Sequence, residues 1–307
     1  MLRQLIFVLS VVVLASMNDI KRQRGIRKVI QSLWGLITNI NLVGFVKGTI
    51  YQGPLKKFCV PGMNCYACPA AIMSCPIGSM QAVLGQRKAK FPFYVIGFLS
   101  FVGILVGRFI CGWLCLFGLI QELLYMIPVP KLSIREDVDR VLRFAKYIFL
   151  FGFCIFAVIF LRTEFGMSVP YFCKYVCPVG MFEGGISLLA MNKAMRSAAS
   201  FLYAWKFAIL IIVLVSSMII NRPFCKYICP LGAFYSLFQK FSFLKLSVDK
   251  DLCINCGACA KTCKMQVNPS LNPNSIECIR CGECVSICQK KAISFKIVSK
   301  KLSNKIL

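Results

Sequence analysis

The sequence contains no histidine, and acidic residues number only 11 against 37 Lys and Arg in 307 residues. Without histidine there is no Cys-x-x-Cys-His haem attachment, no His-ligated haem and no Ser-His-Asp triad, so no haem is expected. A zinc site would have to be all-Cys or Cys with carboxylate. Charge is scarce as well, at 16% of residues against about 25% in soluble domains. Hydrophobic residues make up 58% and mean hydropathy is +0.72, too much for a water-soluble core. An integral membrane protein follows from these figures. The formal charge of +26 comes with no aromatic-basic module, so no nucleic acid is expected. Basic residues flanking membrane helices, and anionic thiolate-ligated clusters, account for the excess.

What is abundant is cysteine, 19 in all, set among apolar runs. Phe93–Ile110, Tyr147–Leu161 and Phe207–Ile220 read as spanning segments, each approaching the ~20 residues needed to cross hydrocarbon once its flanks are added. Val29–Ile50, interrupted by Asn39, Asn41 and Lys47, reads as a fourth. Arg108 and Lys206 are expected to snorkel to an interface. Leu5–Ala15 is short, and Lys21, Arg22, Arg24, Arg27 and Lys28 follow it. An interfacial helix, a short span and a signal core all fit it. With four spans, one side of the membrane receives 24 Lys and Arg and the other 8. The positive-inside rule then puts the C-terminus in the cytoplasm of a multi-pass protein of the cell membrane, in contact with lipid.

The fold class read from this pattern is mainly α: a polytopic helical membrane domain of about four spans with a C-terminal two-cluster ferredoxin-like α+β module. Three segments are expected, 1–28 as an apolar and basic stretch, 29–247 as the membrane domain, and 248–307 as the module with a basic tail.

The module rests on a duplicated spacing. Cys253-x2-Cys256-x2-Cys259-x3-Cys263 recurs 25 residues later as Cys278-x2-Cys281-x2-Cys284-x3-Cys288. This is the bacterial two-cluster spacing, in which the fourth cysteine of each run serves the other cluster. Cys253, Cys256, Cys259 and Cys288 are expected to hold one 4Fe-4S cluster, and Cys278, Cys281, Cys284 and Cys263 the second. Lys264 and Gln289 stand where proline usually follows the fourth cysteine. Paired zinc knuckles are the alternative reading.

The remaining cysteines gather at the ends of the spans. Cys75-Pro-Ile-Gly78, Cys177-Pro-Val-Gly180 and Cys229-Pro-Leu-Gly232 share one pattern, with Cys115-Leu-Phe-Gly118 as a variant. Proline favours the first turn of a helix, which puts each preceding cysteine at an N-cap, where amides and dipole favour a thiolate. Topology groups Cys111, Cys115, Cys225 and Cys229 on the inner side. It groups Cys59, Cys65, Cys68, Cys75, Cys173 and Cys177 on the outer side, two more than a cubane needs. One or two further iron–sulfur clusters are expected from these sets. Reduced structural or zinc-bound cysteines are the alternative for the inner set, and disulfides for the outer. Cys154, mid-span, reads as a small buried apolar residue.

Spans that end in Cys-x3-Cys(-Pro) and lead to a duplicated ferredoxin tail resemble the NapH-like membrane polyferredoxins, which are related to the membrane parts of NosR and CcoG-type proteins. The resemblance covers about residues 29–295. It implies a quinol dehydrogenase-like electron-transfer subunit, passing electrons between the quinone pool or a cytoplasmic donor and a partner redox protein. Leu116 in place of proline and the outer cysteine set depart from the family pattern.

Two faces ~30 Å apart would need something to bridge them. Glu122, Glu164 and Glu183 are the carboxylates near the interfaces that could accept quinol protons, with capping or ion pairing as the plainer reading. Two other functions fit the same residues: an assembly factor that reduces or delivers metal for another redox enzyme, and a redox-sensing membrane scaffold.

Overall fold

The structure is a computed structural model that describes residues 19–87, 91–132, 134–162, 164, 167–191 and 201–297, and these are mainly helical. Residues 1–18, and with them the apolar run Leu5–Ala15, lie outside the described segments.

Uninterrupted apolar sequence produces two helices long and apolar enough to cross a membrane, Glu136–Phe160 and Phe201–Ile219. At 1.5 Å per residue they extend about 37 and 28 Å. Only 28% and 17% of their most apolar windows is buried within the chain, leaving broad apolar flanks uncovered. Glu136, Asp137 and Asp139 occupy the first turn of the longer helix, where carboxylates complement the dipole. Its middle, Phe149–Phe156, is wound as a π-helix around wholly buried Cys154, as expected of a small apolar residue.

The other two expected spans come out differently. The run from Phe93 is helical only to Val106, 14 residues. Gly107 then adopts φ +55°, and a new turn starts at Phe109. In place of a span over 29–50, a helix runs from Ile20 to Thr38 and stops where Asn39 turns its side-chain amide back onto the Gly35 carbonyl at 3.0 Å. A short Val43–Lys47 helix follows, closed by left-handed Gly48.

The chain divides into two compact units. Within its described residues, the first comprises 19–32, 100–114 and 235–297. A two-stranded antiparallel sheet, Leu244–Val248 against Ile293–Ile297, closes the tail. Short helices Ala258–Thr262 and Glu283–Ile287 lie between the strands in sequence.

The duplication in sequence is also a duplication of backbone. Asn255, Gly257 and Gln266 have positive φ, and so do Arg280, Gly282 and Lys291, each 25 residues on.

Two further segments anchor the tail within this unit. From the Ile20–Thr38 helix, Gln23 donates to the Cys281 carbonyl at 3.1 Å, while Arg24 and Arg27 pair with Glu283 at 2.6 and 3.0 Å. Arg108, rather than snorkelling, is fully buried and pairs with Glu277 at 2.8 Å. A buried guanidinium of this kind is tolerated only because a carboxylate and the Ile276 carbonyl satisfy it.

The second unit comprises 33–99 and 115–234 and contains the whole of both long helices.

Candidate metal centres

In the second unit a cavity of about 350 Å³ is lined by Cys65, Cys75, Cys173 and Cys177. Of the six outer cysteines read from the sequence, these four are brought together around one space. The other two do not line it. Cys68, 1% exposed, donates its thiol to the Glu183 carbonyl at 3.3 Å. Cys59 is buried in a bridge to Ser74, with its neighbours Phe58 and Val60 bonded to the Ser74 backbone.

Local sequence explains how three of the four are aimed. Cys75 and Cys177 stand in extended conformation at the N-caps of helices that begin with Pro76 and Pro178. Cys115 caps its helix in the same way although Leu116 replaces the proline. Cys173 lies in the wide π-helical turn Phe172–Val176. Cys65 lies in a loop pinned by its own amide, which donates to buried Glu183 Oε2 at 2.6 Å. A Cβ on Gly180 would stand 3.1 Å from Cys65 Sγ, so glycine leaves that sulfur its room.

The four thiols are costly to ionise where they sit. Burial pushes the Cys177 thiol up to about 12, and the neighbouring Cys75 pushes it further the same way. Burial raises Cys65, Cys75 and Cys173 too, with Cys177 and Cys75 adding to the shift at Cys173. Amides of Ile77 and Gly78, and of Val179 and Gly180, oppose the effect at the two N-caps without closing a capping hydrogen bond. Four mutually repelling thiolates in an apolar wall need cationic compensation, and sulfur donors without imidazole suit iron–sulfur chemistry. Lys206 is turned inward instead of snorkelling: it lines the cavity and donates to the Cys173 carbonyl at 3.2 Å. Among the described residues, no three His, Cys, Asp or Glu side chains converge at the spacing of a single metal ion.

A second constellation in the same unit repeats the first. Gln81, six residues after Cys75, donates to Cys173 Sγ at 3.3 Å, and Gln121, six after Cys115, donates to Cys225 Sγ at 3.1 Å. Cys229 accepts the Gly232 amide at 3.4 Å. Cys115, Cys225 and Cys229 are buried in this unit, whereas Cys111 lies in the Phe109–Trp113 helix of the other. The glutamines carry no cysteine-like spacing signal, and only comparison of Cys75…Gln81 with Cys115…Gln121 could have flagged them.

Among the carboxylates, Glu122 is tied to Arg222 at 2.8 Å, and Glu164 is exposed in a turn. Burial raises Glu183 to about 8, against the opposing pull of the Cys65 amide.

In the first unit a small cavity is lined by Cys263, Cys278, Cys281 and Cys284, the set expected for the second tail cluster. For the first, Cys259 and Cys288 pack in one apolar cluster with Leu246, Val285 and Ile293. Cys253 and exposed Cys256 stand on the turn around Asn255 and Gly257. Gly257 and Gly282, at φ +72° and +84°, take the left-handed turn beside sulfur that glycine permits.

A family model described as a 4Fe-4S binding domain matches residues 74–94, 91–135, 146–194 and 202–248, segments that hold the Cys-x2-Gly motifs of Cys75, Cys115, Cys177 and Cys229. A second model of the same description matches 245–268. The chain is similar to an uncharacterised protein of Methanocaldococcus jannaschii, 30% identical over 73% of this chain and 84% of that one. It is also similar to the putative electron transport protein YccM of Escherichia coli, 27% identical over 54% of this chain and 44% of YccM. The regulatory protein NosR of Stutzerimonas stutzeri is 28% identical over 51% of this chain and 20% of NosR. No solved structure matches. The match in four successive segments, each carrying a cysteine that caps a helix or is followed by proline, identifies the chain as a member of the 4Fe-4S binding-domain family, among the NapH- and NosR-like polyferredoxins.

Proposed function

We propose that this iron–sulfur electron-transfer protein is a membrane-integrated conduit. It would carry electrons between the tail clusters and a centre held by Cys65, Cys75, Cys173 and Cys177, by way of a further centre that includes Cys115, Cys225 and Cys229. The observation that carries the reading is the gathering of four cysteine sulfurs, and only four of the outer six, around one cavity. When bound, clusters at these sites supply one-electron transfer. The protein's own part is to hold the sulfurs, exclude water and fix the local charge, which buried walls, N-cap amides and inward-facing Lys206 are suited to do.

The aromatic packing between the two cysteine constellations supports passage between them. The Phe182 ring lies five residues beyond Cys177, and Phe117 lies two beyond Cys115. Their centroids are 6.4 Å apart, and Phe224, next to Cys225, is 5.2 Å from Phe117. These ring contacts join the segments that carry Cys177, Cys115 and Cys225, which favours a route through protein over a ~30 Å jump between opposite membrane faces.

Insertion through Glu136–Phe160 and Phe201–Ile219, with lipid against their uncovered apolar flanks and the tail in the cytoplasm, completes the reading. A quinone and a partner redox protein are the proposed terminal donor and acceptor. YccM's description as a putative electron transport protein favours this role.

Iron and acid-labile sulfide counted on anaerobically purified protein test it. Four cubanes give about 16 iron per chain, and three give about 12. A count near 8 would leave only the tail clusters and sink the conduit.

A further inference from the structure

Two glutamines buried at 0% exposure stand in the same arrangement at two places in the second unit. Each is six residues after an N-cap cysteine, in segments that otherwise share only the glycine of the Cys-x2-Gly motif: Pro-Ile-Gly-Ser-Met before Gln81 and Leu-Phe-Gly-Leu-Ile before Gln121. Gln81 Oε1 accepts the Phe172 amide at 3.1 Å, and its Nε2 donates to the Ile77 carbonyl and Cys173 Sγ, both at 3.3 Å. Gln121 Oε1 accepts the Phe224 amide at 3.2 Å, and its Nε2 donates to the Phe117 carbonyl at 3.2 Å and Cys225 Sγ at 3.1 Å. The backbone N–H of Phe172 or Phe224 fixes which end of each amide is oxygen, so the NH2 end must face sulfur.

We propose that Gln81 and Gln121 are paired positioning residues, each placing a side-chain N–H on a ligand sulfur and so raising the reduction potential of the centre that sulfur serves. The inference rests on the cluster reading above. Helix anchoring alone needs only Oε1 on the Phe amide and Nε2 on the i−4 carbonyl. The sulfur contact is an additional bond, repeated at both sites. Hydrogen bonds to cluster sulfurs stabilise the added electron, which makes reduction easier.

The test begins with wild-type protein carrying ¹⁵N in the glutamine side-chain amide. Pulsed EPR of the reduced centres is expected to show two ¹⁵N couplings beyond those of the backbone, one lost in each of Gln81→Met and Gln121→Met. Each Met variant, which removes the donor without adding charge, is expected to lower one midpoint and leave the tail clusters unchanged. The expected size is about a tenfold change in the reduced-to-oxidised ratio, 59 mV for a one-electron couple. Gln81→Glu and Gln121→Glu retain an acceptor for the Phe amide while losing the amide donor, and they should lower the same midpoints. A full iron count in wild type with no glutamine coupling overturns the inference and leaves the cluster reading intact. Unchanged midpoints in iron-replete variants do the same. A wild-type count near 8 iron overturns both. If a variant fails to load iron, the wild-type coupling alone decides.

Discussion

Phe117 and Phe182 meet edge to face, their centroids 6.4 Å apart and their planes inclined at 65°. One ring stands two residues beyond Cys115, the other five beyond Cys177. Sequence topology had assigned those cysteines to opposite faces of the membrane. The helix Pro178–Met191 begins just after Cys177, so Phe182 stands a little over one turn along it, where it meets Phe117. The segments that carry Cys115 and Cys177 thus touch through this ring pair within one unit.

Replacing Phe117, which is 1% exposed and packs on both Phe182 and Phe224, should loosen this joint. Phe117→Ala is expected to cost about 3–5 kcal/mol in stability. Phe117→Leu should cost less, but slow internal electron transfer from the tail to the outer centre. Denaturation in detergent reads the first effect and stopped-flow reduction the second. A Leu variant as fast as wild type would show that the ring is packing only.

Glu283 is 1% exposed and faces Arg27, Arg24 and Lys264 at 3.0, 2.6 and 2.6 Å. Burial raises its carboxyl, but the nearby cations, Lys264 foremost, outweigh this and hold it below the ordinary carboxylate range. Glu283→Gln should cost about 3–5 kcal/mol, because it leaves the Arg27 guanidinium buried without its counter-charge. Arg24 is 44% exposed, so Arg24→Ala should cost no more than about 1 kcal/mol. Hydrogen exchange over residues 20–32 is the measurement: fast exchange in the Gln variant and near-native exchange in the Ala variant. Equal protection in both would contradict the docking of this helix on the tail.

Glycines separate two opposite outcomes. Gly97, in the Phe93–Val106 helix, has open space where a Cβ would go, so Gly97→Ala should stabilise by about 0.4–1 kcal/mol. Gly180→Ala puts a carbon 3.1 Å from Cys65 Sγ and should lower metal retention in the outer centre while leaving the tail clusters loaded. Thermal melts and iron counts on both variants check this. Full iron in Gly180→Ala would mean that Cys65 is free to move aside.

Much of this was legible in the sequence because it is local. The 25-residue cysteine repeat reappears as paired positive-φ residues, Asn255 with Arg280 and Gln266 with Lys291. Cys-Pro spacing placed Cys75 and Cys177 at N-caps, since proline fixes the first turn whatever surrounds it. What was hidden depends on distant partners. Expected topology groups six cysteines together, but Cys68 donates to the Glu183 carbonyl, 115 residues away, and does not line the cavity. Arg108 looked like an interfacial cation because nothing near it in sequence announces Glu277. Helix length was misread at Gly107, whose left-handed turn ends the span that hydropathy carried on to Ile110. The basic stretch before Val29 looked like a membrane flank. Its helix is instead bound to the tail through Gln23, Arg24 and Arg27.

The most direct test of the account is an iron and sulfide count on single Cys→Ser variants of the outer set. Cys65, Cys75, Cys173 and Cys177 line the cavity, while Cys59, Cys68 and Cys154 are buried outside its lining. Each of the first four variants should lose about four iron relative to wild type, or convert one centre to a three-iron species visible by EPR, and the last three should keep the full count. Equal iron in Cys173→Ser and Cys68→Ser would contradict the assignment of the cavity as a cluster site.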